Sequence, residues 1–374
     1  MLSCISTFIF AQEPGLYDLD KYVNKLKNKN IGLVVNQSSV LNNVHLVDTL
    51  INLGISINYI FTPEHGFSGD FNAGEHVENS LYNGIPAISL YGKNKKIQDV
   101  YLKDIDIILF DLQDVGVRFY TYISTLHYVM EACAKNKTHL IVLDRPNPHV
   151  NYVDGPVLEN NFVSFVGMHK VPVVYGMTIG EYSLMINGEK WLKDDLICSV
   201  EVVKIADYNR SCMIQYENPP SPNLRSFSAI LLYPSLCFFE GTIISVGRGT
   251  DYPFEMYGAP FFNTNYQFKP ESNFGANNPK YNKETCYGFN LQNYFTHNKL
   301  RLHQINLGFL IHAYNLTPNY LKSDFFNPFF NNLAGTDKLK NQLINNVSEA
   351  DIRKSWALDL QDFKLIRSKY LLYN

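Results

Sequence analysis

Between residues 31 and 144 the chain repeats one pattern: a short, almost wholly apolar run, a polar exit, a stretch with helical spacing, then the next apolar run. The runs cover 31–36, 57–61, 85–92, 105–111 and 140–144. Runs this short and this uniformly apolar read as strands buried on both faces. Such strands, separated by helices, join through right-handed βαβ crossovers into a mostly parallel sheet. Helices are predicted over 45–54, stopped by Gly54, and over 123–135. The expectation is a Rossmann-like α/β layout, with the strand order left open.

A chain of 374 residues exceeds the usual size of one core, so two domains are expected. After the repeating part, Thr178 with Glu181 has capping-box spacing at a helix start. Residues 197–205 alternate as a strand does. Pro219-Pro220-Ser221-Pro222-Asn223 reads as a rigid, extended linker. Beyond Pro234 the segments shorten and turn residues multiply, with helical stretches at 337–346 and 350–370. These shifts divide the chain into a Rossmann-like catalytic domain, 14–230, and a smaller α+β auxiliary domain, 231–374. The border falls between about 220 and 245.

Residues 5–12 resemble the end of a secretory apolar region followed by a small-residue cleavage site, although a basic start is missing and the apolar stretch is short. A truncated signal segment over 1–13, and an extracytoplasmic (periplasmic or secreted) protein, are the expectation. No run approaches the roughly 18 apolar residues of a membrane span, so an integral membrane protein is not expected.

Apolar content of 46% with 18% charged residues describes a packed globular chain. A net charge of −3 without any Lys/Arg run offers no footprint for nucleic acid. The six cysteines show no paired spacing, which argues against a disulfide framework or a zinc site, and Cys133 reads as a small buried hydrophobe. There is no GxSxG, no GxGxxG after the first strand and no HExxH, so serine hydrolase, dinucleotide oxidoreductase and zincin readings have no support. The 25 tyrosines and 25 phenylalanines divide between core and surfaces able to stack on sugars.

Strand carboxyl ends of a parallel sheet converge on one rim. That rule gathers Asn36, Glu64 and His65, Asp111, Asp114 and Arg118, and Asp144, Arg145 and Asn147. The set exceeds what a sheet needs for stability and suits a hydroxyl-rich or charged small ligand. Glu64 either caps its turn or acts as a general acid. Pro63 before it and Gly66 after it favour a side chain held at a chosen angle, and enclosure by Phe61, His65 and Phe67 would raise its pKa as an acid at neutral pH requires. His65 orients Glu64, binds substrate or is structural. With only His76 nearby as a further ligand, no metal is expected. Glu75 is either a solvated loop residue or a partner of Glu64, within the roughly 5–10 Å that separates glycosidase carboxylates. Asp114 and Arg118 form an ion pair or touch ligand. Tyr120 lines the crevice or belongs to the core. Asp144 and Asn147 contact ligand or brace the Pro-Asn-Pro turn. Glu240 and Arg248, in the dense motif 239–255, complete the crevice or form an inter-domain salt bridge.

Together these motifs resemble the family first described as a domain of unknown function, DUF1343, and now associated with exo-β-N-acetylmuramidases of the NamZ type (glycoside hydrolase family 171). The matching pieces are Gly32-Leu33-Val34-Val35-Asn36-Gln37, Phe61 to Gly69, Ala73-Gly74-Glu75, Ser89 to Gly92, Phe110 to Tyr122, Asp144 to Pro148, Gly176 to Glu181 and Glu240 to Phe254. They run in unbroken order through the first two thirds. The resemblance implies a Rossmann-like catalytic domain with a smaller auxiliary domain, acting without a cofactor. It implies release of N-acetylmuramic acid from the non-reducing end of peptidoglycan-derived muropeptides or a MurNAc-GlcNAc disaccharide. Glu64 takes the place of the family's suspected catalytic glutamate, with Glu75 or Asp114 as second carboxylate. The lactyl carboxylate of muramic acid accounts for Arg118 or Arg248. Ser38-Ser39 and Ile243-Ile244 depart from the family's pattern and bear on local binding contacts. Two other readings stay open: a non-catalytic muropeptide-binding protein of the same fold, and hydrolysis of an amide or phosphoester.

Overall fold

The computed structural model describes residues 13–64, 66–67, 79–92, 94–211, 218–295 and 303–374. The central sheet has six parallel strands: β1 (Ile31–Val35), β4 (Ile57–Thr62), β6 (Ile85–Ser89), β7 (Ile107–Asp111), β8 (His139–Leu143) and β9 (Val200–Val203). A small hairpin, β2 (Val40–Leu41) with β3 (Val44–His45), follows β1, and an antiparallel strand, β5 (Ser80–Tyr82), edges the sheet. The sheet order is β5-β6-β4-β1-β7-β8-β9. Counted along the chain, its parallel strands lie in the order 3-2-1-4-5-6 of doubly wound folds, which opens a crevice where the connections change direction beside β1.

Both faces of the sheet are buried, which is why its strands carry no polar alternation. Ile31, Leu33, Val35, Leu109 and Ile141 pack with Leu26 of α1 (Leu19–Leu26) and Leu50 of α2 (Leu46–Asn52). On the other face Val34, Ile108, Phe110 and Val142 share a core with Leu126 and Met130. Those two belong to α4 (Tyr122–Asn136), which follows the single-turn helix α3 (Asp99–Leu102). Cys133, also on α4, is buried as the sequence suggests. The helix α5 (Ile179–Gly188) starts on the expected capping box: the Thr178 hydroxyl accepts from the Glu181 N–H at 3.2 Å, and the Glu181 carboxylate accepts from the Thr178 N–H at 3.0 Å.

Among the described residues the carboxy-terminal region holds the helix α6 (Phe227–Leu236), a three-stranded antiparallel sheet and five further α-helices. The small sheet is built from β10 (Met256–Ala259), β11 (Tyr266–Phe268) and β12 (Cys286–Asn290), with β12 in the middle. The class expected from the sequence, a mostly parallel α/β sheet followed by a smaller α+β part, is the one found. The helical stretch 350–370 proves to be two helices, Glu349–Ser355 and Ala357–Ser368. At the break Trp356 leaves helical geometry (φ −114°, ψ 4°) and its side chain is buried. The segment 219–223 is not the extended linker expected. Ser221 and Leu224 pair in a tight turn, and the Pro220 carbonyl accepts from the Tyr120 hydroxyl at 2.7 Å and from Gln37 Nε2 at 3.1 Å. Hydrogen bonding by Tyr120, remote in the chain, overrides the local preference of the prolines. No helix among the described residues is long and apolar enough to cross a membrane.

Candidate active site

A cavity of about 330 Å³ lies at the carboxyl edge of the sheet, where the exits of β4, β6 and β7 meet the carboxy-terminal region. Glu64 and Tyr91 come to it from strand exits and Thr121 from the start of α4; Tyr233 comes from α6, and Glu240 and Arg248 from beyond it. The backbone turn that carries Glu64 is closed by a 3.1 Å bond from the Gly66 N–H to the Pro63 carbonyl, with Gly66 at φ +74°. This conformation is natural to glycine and costly for other residues. The turn places Glu64 at its first central position, and Glu64 Oε2 accepts from the Thr121 hydroxyl at 3.1 Å. Phe61 is buried against Tyr59 and Tyr101, and Phe67 packs on His45 and Tyr82.

The second carboxylate on the cavity is Glu240. Arg248 Nε pairs with it at 3.1 Å, and the Arg248 guanidinium lies 5.0 Å from the centre of the Phe254 ring. Burial works against the charged form of Glu240, but Arg248 and Lys280 outweigh it and hold the carboxyl below its ordinary range. Lys280 itself donates to the carbonyls of Phe239 at 2.7 Å and Ile244 at 3.2 Å. Two cations thus act on the one carboxylate, Arg248 from the cavity wall and Lys280 from behind it.

The remaining sequence candidates divide sharply. Tyr120 lines the cavity. Asn36 stands one layer back: it is fully buried, and its amide donates to the Tyr122 hydroxyl at 2.7 Å, while Tyr122 lines the cavity. Asp114 and Arg118 do not pair with each other. Asp114 is buried, accepting from the Gly116 N–H at 2.7 Å and from the Tyr175 hydroxyl; burial pushes its carboxyl up to about 6 against these bonds. Arg118 is completely buried and donates to four backbone carbonyls: Pro156 at 2.9 Å, Val171 at 2.7 Å, Leu333 at 3.0 Å and Ala334 at 2.7 Å. Burial lowers its pKa to about 9. The structure therefore makes Arg118 a clasp between the strand exits and the carboxy-terminal region.

The β8 exit is sealed rather than open. Asp144 accepts from the Gly180 N–H at 2.7 Å, from the Thr178 hydroxyl at 2.8 Å and from Tyr373, and burial pushes its carboxyl up to about 7. A Cβ on Gly180 would come within 2.6 Å of Asp144 Cγ, so only glycine allows this approach. Asn147 donates to the Met177 carbonyl at 2.7 Å and accepts from the His149 N–H at 2.7 Å, bracing the Pro-Asn-Pro turn. His65 and Glu75 lie outside the described residues.

Several residues that shape the site carry no sequence signal that would single them out. Thr121 sits inside the conserved-looking run 110–122 but is an ordinary helix-start threonine by type. Lys280 is one lysine among many. Phe165 reaches the cavity from a segment with no recognisable motif.

The sequence profile of the exo-β-N-acetylmuramidase NamZ amino-terminal part matches residues 31–228, and that of its carboxy-terminal part matches residues 231–373. The chain belongs to the NamZ family. The peptidoglycan β-N-acetylmuramidase NamZ of Bacillus subtilis (strain 168) is 37% identical over 380 aligned positions, which span 95% of this chain and 89% of that protein. Two crystal structures of DUF1343 family proteins from Bacteroides fragilis NCTC 9343 share the fold. One superposes with a TM-score of 0.88 at 40% identity, covering 98% of this chain and 99% of that one. The other has a TM-score of 0.81 at 29% identity, covering 97% and 99%. Membership in NamZ makes this chain a glycosidase.

Proposed function

We propose that this protein is an exo-acting β-N-acetylmuramidase that removes N-acetylmuramic acid from the non-reducing end of peptidoglycan fragments, with Glu64 as general acid. The observation that carries the reading is the pairing of two carboxylates, Glu64 and Glu240, on one small cavity whose wall also holds Arg248, with Lys280 acting on Glu240 from behind it. Glycosidases of the common types work with two carboxyl groups about the scissile bond. A cavity of this size stands at the small end of ligand sites, roughly 300–1,000 Å³, and suits a single terminal sugar. The Arg248 guanidinium on the wall is a group able to meet a sugar that bears a carboxylate, as muramic acid does through its lactyl group.

In this mechanism the Glu64 carboxyl protonates the leaving glycosidic oxygen as the bond to the anomeric carbon breaks, and water then bonds to that carbon and gives up the proton that restores the Glu64 carboxyl. The Thr121 hydroxyl stabilises the carboxylate between these two steps. Glu240, kept ionised by Arg248 and Lys280, supports the positive charge that develops on the sugar ring. An extracytoplasmic location, where the polymer substrate lies, forms part of the proposal and is tested by fractionating the source cells.

The test is to incubate the purified protein with MurNAc-GlcNAc disaccharide and identify products by mass spectrometry. Free N-acetylmuramic acid is the expected product, and Glu64→Gln should lose about 10²- to 10⁴-fold in turnover while keeping its fold. Near-wild-type turnover by Glu64→Gln would remove Glu64 from its role. Tight binding without products would make the protein a muropeptide-binding relative instead.

A further inference from the structure

We propose that the hairpin tip at Phe165, with Lys95, forms the binding surface for the leaving side of the substrate. Phe165 stacks on the first sugar beyond the scissile bond, and Lys95 takes the lactyl carboxylate of the next muramic acid in the chain. The proposal rests on the glycosidase reading of the cavity and extends it to a subsite outside the catalytic residues.

Ser164 and Gly167 exchange both backbone hydrogen bonds, at 2.9 and 3.0 Å, leaving Phe165 and Val166 as a two-residue tip. The tip is tied down from behind: Ser124 on α4 donates its hydroxyl to the Phe165 carbonyl at 2.7 Å. A Cβ on Gly167 would lie 3.3–3.5 Å from Leu158 and Arg118, so the hairpin base sits closely on the buried Arg118 clasp. Both tip side chains line the cavity, as does Tyr91. From there aromatic surface continues outward. The Phe165 ring lies 6.1 Å from that of Tyr91 and is parallel, within 9°, to that of Tyr128 at 6.2 Å. A half-exposed run of rings held in place beside a polar cavity is the kind of surface on which the C–H faces of a sugar pack.

Charge gives the second half of the inference. Lys95 Nζ stands 4.4 Å from the Phe165 ring centre and Lys96 Nζ 4.7 Å from that of Tyr128. Lys96 is paired with Glu131 at 2.6 Å, whereas among the described residues no carboxylate pairs with Lys95. A cation that no described carboxylate pairs therefore lies over the ring that lines the cavity. In a chain where muramic acid alternates with glucosamine, a muramic acid in the cavity puts a neutral sugar next and a carboxylate on the sugar after that. The ring and the cation together offer a contact for each.

The test compares kcat/KM on four substrates: an aryl β-muramide, MurNAc-GlcNAc, the peptide-free tetrasaccharide of two such repeats, and the disaccharide bearing a stem peptide. Wild-type protein should prefer the tetrasaccharide to the disaccharide. Lys95→Met should cut that preference about tenfold, chiefly through KM, and Lys95→Arg should restore most of it. Phe165→Leu, which keeps apolar bulk but removes the ring, should lower both saccharides about tenfold relative to the aryl muramide. Unaltered substrate ratios in these variants overturn the proposal. A Lys95→Met effect confined to the peptide-bearing disaccharide overturns the assignment of the carboxylate to the sugar chain. If wild-type protein cleaves none of the four, the glycosidase reading fails first and this subsite falls with it.

Discussion

The Thr121 hydroxyl donates to Glu64 Oε2 at 3.1 Å, although Thr121 occupies the N-cap of α4. A threonine at that position ordinarily turns its hydroxyl back onto its own helix. Here it makes no such bond and reaches instead to a carboxylate on the exit of another strand. Glu64 is thereby held at the amino end of α4, where the helix dipole also favours negative charge. In the proposed mechanism this hydroxyl bonds to the Glu64 carboxylate left when its proton has gone to the leaving oxygen. Thr121→Val should therefore lower kcat about ten- to hundredfold, from the loss of a hydrogen bond to a charged group, with KM changed little. Thr121→Ser should recover most of the loss. Steady-state kinetics on a chromogenic β-muramide measure this, and an equal rise in KM would argue that Thr121 positions substrate instead.

Asp111 at the end of β7 and Arg145 after β8 form a two-bond ion pair, Nε to Oδ1 at 2.6 Å and Nη2 to Oδ2 at 2.7 Å, and Arg145 also donates to the Ser38 carbonyl at 3.0 Å. Both side chains are buried. Asp111→Ala leaves a buried guanidinium without its counter-charge, so a loss of about 3–5 kcal/mol in unfolding free energy is expected. Urea denaturation followed by circular dichroism measures it; a loss under about 1 kcal/mol would mean that water or another group takes over the pairing.

Arg118 bonds to carbonyls on both sides of the packed interior, Pro156 and Val171 on one and Leu333 and Ala334 on the other. Arg118→Met should leave those carbonyls without donors and destabilise the fold by several kcal/mol, on the order of 1–3 for each buried group left unsatisfied. Variant protein that remains folded at low temperature should keep its KM within about twofold. A large KM increase with unchanged melting temperature would place Arg118 among the substrate contacts after all.

Asp114 and His149 shape the pH dependence of stability in opposite directions. Burial, opposed by Tyr175 and Gly116, pushes the Asp114 carboxyl up to about 6, while burial pushes His149 down to about 4. Over roughly pH 4–6 folded Asp114 keeps a proton that the unfolded chain has released, so its contribution to stability is lost as pH rises. Over nearly the same window the unfolded chain protonates His149 and the folded protein does not, so that contribution grows as pH rises. Each slope is at most about 1.4 kcal/mol per pH unit. Asp114→Asn retains an acceptor for Tyr175 and removes the first slope. Its stability should climb more steeply with pH between about 4 and 6 than that of the wild type. Parallel curves in urea titrations across this range would show that Asp114 does not hold its proton in the folded state.

Much of this molecule is legible in its residues because the responsible forces are local or depend only on pattern. Apolar runs without alternation must be buried on both faces, and β1, β4, β6, β7 and β8 are. Thr178 and Glu181 cap α5 because the two groups are three residues apart and need nothing else. Pro63 and Gly66 announce the turn under Glu64 for the same reason. The break at Trp356 and the turn at 219–223 were hidden, since each follows from burial of a ring or a bond from a distant tyrosine.

By itself the sequence determined a mostly parallel α/β sheet, its polar carboxyl rim and a glutamate presented on a constrained turn. Only the tertiary structure decided which rim groups face a ligand. Asp111, Asp114, Arg118, Asp144 and Asn147 have the residue types of a binding site, yet the fold engages them with a guanidinium, hydroxyls and backbone groups of its own. Glu240 and Arg248 reach the cavity that holds Glu64 through packing of the carboxy-terminal region. A polar side chain is the same chemical group whether its partner is a substrate or a distant segment of its own chain. Burial and hydrogen bonding across long sequence separations distinguish the two, and those arise only when the chain is folded.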